Sequence, residues 1–217
     1  MYITRTRPIK TGEIADHLYA IRTASVNFFI YKGADAIIGI DTGFGNSLIS
    51  RELKSLDIDP GSVTHLFLTH SDFDHCSGLA FFTKAKIYLS AAEEQMITGQ
   101  KARLWGFIYN ARIRRSHQLL NDQDEITAGS IKVRAISTPG HTPGSMSYLL
   151  NESILFSGDT FKLVDNQVCL LRRYINMDMA QQETSIRKLA KLDDVHLACT
   201  AHWGCTNEFS AAIDGWK

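Results

Sequence analysis

Two apolar runs, VNFFIYKG (Val26–Gly33) and AIIGIDTG (Ala36–Gly43), flank a turn at Gly33-Ala34-Asp35 and predict a β-hairpin. In NSLISRELKSL (Asn46–Leu56), Ile49, Leu53 and Leu56 recur at helical spacing, with Asn46 placed to cap the helix. THLFLTH (Thr64–His70) and AKIYLS (Ala85–Ser90) are short apolar strands, and a helix follows from Ala91 to Thr98. KARLWGFIYNARIRRSH (Lys101–His117) reads as an amphipathic helix. Leu104, Ile108 and Ala111 form its apolar stripe, and Arg112, Arg114, Arg115 and His117 lie elsewhere on it. In the second half, GSIKVRAISTPG (Gly129–Gly140) reads as strand then turn. SMSYLLNESILFSGD (Ser145–Asp159) reads as two strands around Asn151-Glu152. Asp178 caps a helix running to Leu192, with Gln181 completing a capping box. DVHLACTAHWG (Asp194–Gly204) is a strand that ends in a histidine.

Both halves thus alternate strands with helices, which predicts a layered α/β protein with sheets inside and helices outside. The 217 residues show no linker, repeat or low-complexity stretch and are expected to form a single domain over 1–217. Hydrophobic content of 44% supports a sizeable core. Lys+Arg and Asp+Glu both number 23, which argues against nucleic acid or an anionic membrane as partner. No apolar run reaches the ~20 residues of a membrane-spanning helix, and MYITRTRPIKTGE has no apolar signal core. The four cysteines form no CxxC pair, so they are expected to be reduced in a cytoplasmic protein.

Composition says nothing about chemistry, but the strand ends do. LTHSDFDHCSG (Leu68–Gly78) packs His70, Asp72, Asp74 and His75 into six residues after an apolar strand. His141, Asp159 and His202 stand at three further strand ends, most of them beside glycines that permit sharp turns. Imidazole and carboxylate are the ligands of zinc, manganese and iron. Seven such groups exceed one tetrahedral ion and suit two ions sharing a carboxylate.

With those residues in place, the sequence resembles the metallo-β-lactamase superfamily. THSDFDH (Thr69–His75), STPGHTPGS (Ser137–Ser145), FSGDT (Phe156–Thr160) and TAHWG (Thr200–Gly204) look like its four metal motifs, and IDTG (Ile40–Gly43) looks like its early Asp-bearing motif. The resemblance implies a four-layer αββα sandwich of two mixed β-sheets flanked by helices, with a dinuclear site at the sheets' edge. It implies that His70 and His141 hold the first metal, that Asp74, His75 and His202 hold the second, and that Asp159 bridges them. Asp41 is then the carboxylate behind the ligands that orients an imidazole.

One position departs from the family's HxHxDH pattern: Asp72 stands where a histidine is expected. Either its carboxylate ligates the first metal, or it is too short and water takes the place. A carboxylate there hardens the site, so iron or manganese competes with zinc. The flavodiiron branch resembles the sequence at this point, although the chain has no room for a flavin domain.

Two divalent ions, zinc first among the candidates, imply a hydrolase that attacks a small ester, thioester, lactone or phosphoester through a metal-bridging hydroxide. Asp74 is the candidate to orient the water and shuttle its proton. The alternative is a non-haem diiron protein that binds or reduces O2 or NO. Lys162, Arg172, Arg173 and Tyr174 are the candidate substrate contacts. The 101–117 segment serves as a cationic lid, an outer helix or a homodimer contact. Zero net charge and the absence of a long insertion argue against RNA processing. The missing signal core argues against an exported antibiotic-degrading role.

Overall fold

The computed structural model describes residues 6–103 and 110–217. The first sheet contains, in chain and spatial order, β1 (Gly12–Ala15), β2 (Leu18–Thr23), β3 (Val26–Lys32), β4 (Ile37–Ile40), β5 (His65–Phe67), β6 (Lys86–Ser90) and β7 (His117–Leu120). Its first four strands are antiparallel, and β4 to β7 run parallel. Between β4 and β5 lies helix α1 (Asn46–Ser55). Short helices α2 (Phe73–Cys76) and α3 (Glu94–Ile97) follow β5 and β6.

The second sheet is built from β8 (Glu125–Ala128), β9 (Ile131–Ser137), β10 (Met146–Leu150), β11 (Ile154–Phe156), β14 (Leu197–Cys199) and β15 (Cys205–Thr206), with β12 (Lys162–Val164) and β13 (Gln167–Cys169) forming a separate hairpin. It too is mixed: β11 and β14 pair parallel while the others pair antiparallel. Helices α4 (Met179–Leu189) and α5 (Phe209–Ala212) complete the second half.

Alternation along the strands makes four layers. On β3, Phe29 faces the second sheet with Ile38, Phe67, Tyr148 and Phe156, while Phe28 and Ile30 face α1 through Ile49 and Leu53. On β10, Tyr148 and Leu150 enter the inter-sheet core, and Leu149 turns to α4 and α5 with Ile186, Leu189 and Phe209. Both faces of each sheet are therefore covered, which explains why these strands read as nearly continuous apolar runs. Among the described residues, no helix is long and apolar enough to cross a membrane.

Four local expectations are corrected. Gly45, at φ 87°, occupies the N-cap of α1, so Asn46 is the first helical residue and its side chain makes no cap. In the 101–117 segment, Leu104 and Ile108 lie outside the described residues, and the described part is not helical: residues 111–116 are irregular and His117 begins β7. Arg115 is spent there on four carbonyls, of Leu79, Phe82, Thr83 and Ala85, at 2.9–3.1 Å, which removes it as a lid cation. Strand β14 stops at Cys199, so His202 sits in the loop beyond it. Cys199 and Cys205, cross-strand partners in β14 and β15, are joined as a disulfide, while Cys76 and Cys169 are free. The strand register makes that pair, and a search for CxxC spacing does not detect it.

Asp178 caps α4 as expected, its Oδ1 accepting from the Gln181 amide at 3.0 Å, but the reciprocal half of the capping box does not form: the Asp178 N–H donates to the Gly140 carbonyl at 2.9 Å, and the Gln181 side chain donates to Asp178 Oδ2 at 2.9 Å instead.

Candidate metal centre

Five strand-end loops converge at one edge of the sandwich. They carry Asp41 after β4, His70 to His75 after β5, His141 between β9 and β10, Asp159 after β11 and His202 after β14. The sheets are stitched together beside them. Met146 N–H donates to Thr69 O at 2.8 Å, Asn27 N–H to Ala201 O at 2.7 Å and Tyr148 O–H to Leu68 O at 2.8 Å. Gly158 is needed for the approach: it sits at φ 51°, and a Cβ there would come within 2.7 Å of Thr69.

All seven predicted side chains meet. Donor atoms of His70, Asp72 and His141 lie within 4.8 Å of one another, as do those of Asp74, His75 and His202, and those of His70, His75 and Asp159. Asp159 spans the group: Oδ2 is 3.4 Å from His141 Nε2 and 3.5 Å from His202 Nε2, and Oδ1 is 3.8 Å from His75 Nε2. Asp74 Oδ2 is 3.4 Å from His202 Nε2. The Asp72 carboxylate reaches the same ring, with Oδ2 at 3.6 Å from His70 Nε2 and 3.3 Å from His141 Nε2. The loop thus carries this shorter side chain in far enough to join the imidazoles.

Each imidazole is anchored through its other nitrogen. His75 Nδ1 donates to Asp41 Oδ2 at 2.9 Å, and His202 Nδ1 donates to the Ser25 carbonyl at 2.7 Å. His141 Nδ1 lies 3.2 Å from Asn176 Oδ1. Thr69 donates its hydroxyl to Asp41 Oδ2 at 2.8 Å, leaving Oγ1 to accept from His70 Nδ1 at 3.0 Å. The acceptors orient the rings, and all four Nε2 atoms face inward. His70 Nε2, His75 Nε2 and Asp159 Oδ1 are buried without a hydrogen-bond partner. Buried polar atoms without partners are costly, and these three fit a set of metal ligands.

The electrostatics match. Burial alone would push His75 down, but Asp41, Asp74 and Asp159 outweigh it and raise the ring from 6.5 to about 10. Burial and the neighbouring His75 hold His70 below its ordinary value. Burial would raise Asp159, yet the surrounding imidazoles, His202 first, hold it low. Asp72 is likewise held well below the ordinary carboxylate range, against its burial, by His70 and His141.

Two buried residues here carry no signal in the sequence. Glu93 accepts from Ser71 N–H at 2.9 Å, Ser71 O–H at 2.6 Å, Thr142 O–H at 2.7 Å and Gly144 N–H at 3.1 Å, tying the His70 loop to the His141 loop. Burial pushes its carboxyl up, against His70 and these donors. Arg103 donates from Nη1 to Asp72 Oδ2 and to His141 Nε2, the latter at 2.7 Å. In sequence, Glu93 reads as an ordinary first-turn helix residue and Arg103 as one of many basic residues in its segment.

A cavity of about 360 Å³ opens over the centre, lined by Asp72, Asp74, His141, Asp159 and His202 on one side and by Lys162, Arg172 and Tyr174 on another. Of the four expected substrate contacts, Arg173 is the exception: it is exposed in the turn Arg173–Ile175 and does not line the cavity. Successive residues of that turn point in different directions, so its neighbours face the cavity and it does not.

Residues 22–202 match the pattern of the metallo-β-lactamase superfamily. A probable polyketide biosynthesis zinc-dependent hydrolase of Bacillus velezensis is 34% identical over 132 residues, 59% of this chain and 51% of that protein. A hydroxyacylglutathione hydrolase of Bartonella quintana is 30% identical over 152 residues, 69% of this chain and 53% of that protein. The chain therefore spans about half the length of the curated relatives it matches. Among solved structures, a subclass B3 metallo-β-lactamase of Bradyrhizobium japonicum superposes with a TM-score of 0.72 at 18% identity, covering 92% of this chain and 80% of that one. A Cronobacter sakazakii metallo-β-lactamase gives 0.71 at 20% identity, covering 91% and 80%. These likenesses establish the αββα fold.

Proposed function

The chain belongs to the metallo-β-lactamase superfamily, and from that premise we propose that it is a metal-dependent hydrolase of a small ester, thioester, lactone or phosphoester. One observation carries the reading: four imidazoles, each anchored through Nδ1, turn their Nε2 atoms toward three carboxylates beneath an open cavity.

His70, Asp72 and His141 would hold a first divalent ion, Asp74, His75 and His202 a second, and Asp159 would be shared. Zinc is favoured by the imidazole-rich donor set and by the zinc-dependent relative. Ions held there supply Lewis acidity and a water acidified to a pKa of about 7. Asp74 stands on the cavity side with its side chain 20% exposed, where it can orient the attacking water and take its proton. Asp41, through Thr69 and directly, keeps His70 and His75 in the tautomer that presents Nε2. Lys162 and Arg172 line the same cavity and favour a substrate with an anionic portion, with Tyr174 offering a phenol beside them. The hydroxyacylglutathione and polyketide relatives make thioesters and esters the first substrates to try.

The test is metal analysis of protein purified without chelator, followed by a panel of model esters, thioesters, lactones and phosphoesters. Bound zinc with turnover that disappears on chelation and returns with zinc is the expected result. A stoichiometric iron pair with oxygen-sensitive visible absorption, and no hydrolysis, would replace this reading with the diiron one.

A further inference from the structure

Asp72 and His141 already have a cation between them. The Arg103 side chain is 4% exposed, and its Nη1 donates to Asp72 Oδ2 and, at 2.7 Å, to His141 Nε2. Nη2 donates to the Ile175 carbonyl. A guanidinium has five donors and no acceptor. His141 Nε2 is therefore the acceptor, and its one lone pair is committed to Arg103. Asn176 Oδ1, beside Nδ1, fits that tautomer.

We propose, on the metal-centre reading above, that Arg103 is the built-in cation of the first metal position. A metal ion enters there only by displacing the guanidinium, so the two positions fill in order, the one at Asp74, His75 and His202 first.

Several arguments support this. A metal needs the His141 lone pair that Arg103 holds, and that nitrogen has only one, so the two occupants exclude each other at a single atom. Arginine does not give up its proton, so it cannot become neutral to admit a dication. In this buried setting, little water screens the repulsion between them. At the other position, the ion-pair contacts of Asp74, His75 and His202 are with one another, Asp41 and Asp159, and no arginine is among these contacts. The Arg103 seat is also incompletely satisfied, because Nε is buried without a hydrogen-bond partner. Displacement is therefore less costly than for a fully bonded guanidinium. Asp72 in place of the family's histidine fits the same account: a carboxylate pairs with arginine, whereas a neutral imidazole gives it no counter-charge.

The experiment is zinc titration against a chromophoric chelator for the wild type, Arg103→Ala and Arg103→Gln, with circular dichroism to confirm folding. The wild type is expected to bind one zinc tightly and a second at least tenfold more weakly. The variants are expected to bind the second zinc at least tenfold more tightly than the wild type, with the first unchanged. A second zinc of equal or lower affinity in the variants overturns the proposal while leaving the metal centre intact. No zinc on any of the three proteins overturns the metal reading and this one with it. Native mass spectrometry of the wild type alone covers the case in which the variants fail to fold. At one equivalent of zinc, a dominant one-zinc species is expected, and a mixture of only zero- and two-zinc species overturns ordered filling.

Discussion

Asp41 Oδ2 receives two hydrogen bonds, from His75 Nδ1 at 2.9 Å and from the Thr69 hydroxyl at 2.8 Å, and Thr69 in turn accepts from His70 Nδ1 at 3.0 Å. One carboxylate thereby orients two imidazoles assigned to different proposed metal positions. Asp41 also accepts from the Thr69 amide at 2.8 Å and has φ 59°, a left-handed conformation that aspartate tolerates better than most residues.

Asp41→Asn is predicted to weaken zinc binding by about 10–100-fold, the usual cost of losing a partner behind a ligand. An amide has one acceptor oxygen and cannot stabilise charge on both rings. Zinc competition measures the change. Wild-type affinity at both positions in the Asp41→Asn protein would show that Asp41 serves only the fold.

His141→Ala and His202→Ala each delete an Nε2 from a separate loop. Each variant is expected to lose at least one metal equivalent and nearly all hydrolysis, read by metal analysis after purification and by turnover on the best model substrate. Full metal content with full turnover in His141→Ala would sink the ligand assignment.

Glu93→Ala leaves four donors without their acceptor: the Ser71 amide and hydroxyl, the Thr142 hydroxyl and the Gly144 amide. At about 1–3 kcal/mol for each buried group left unpaired, and with some relaxation, a loss of roughly 3 kcal/mol or more is expected. Glu93→Gln keeps an oxygen acceptor and should cost less. Urea denaturation of the metal-free proteins ranks them, and an Ala variant as stable as the Gln variant would contradict the bridging role.

In metal-free protein, His75 is raised from 6.5 to about 10 by Asp41, Asp74 and Asp159. A raised folded-state value means that the imidazolium stabilises the fold. That contribution is fully present below pH 6.5 and is lost as pH climbs through about 10. The melting temperature of the metal-free protein should fall across that window. The zinc-loaded protein, whose His75 ligates as the neutral ring, should lack this fall, and His75→Ala should flatten it in the metal-free state. A metal-free melting temperature that rises between those values would contradict the assignment.

The elements built from local periodicity were readable in the chain itself. Ile49 and Leu53 mark α1, Asn151-Glu152 turns β10 into β11, and Asp178 caps α4. The seven inward-facing ligand-type residues were readable too, because each sits just beyond an apolar strand, and a sheet scaffold brings such ends to one edge. Tertiary structure alone decided what surrounds them. Arg103 meets His141 across 38 residues, Glu93 meets Thr142 across 49 and Ser25 anchors His202 across 177. Cys199 meets Cys205 through strand register, and Arg115 is absorbed by carbonyls of a distant turn. No spacing rule reports such pairings, because a hydrogen bond or ion pair depends on positions that only the assembled sheets define. Composition and periodicity record which residues must be buried, and packing determines which buried polar groups find each other.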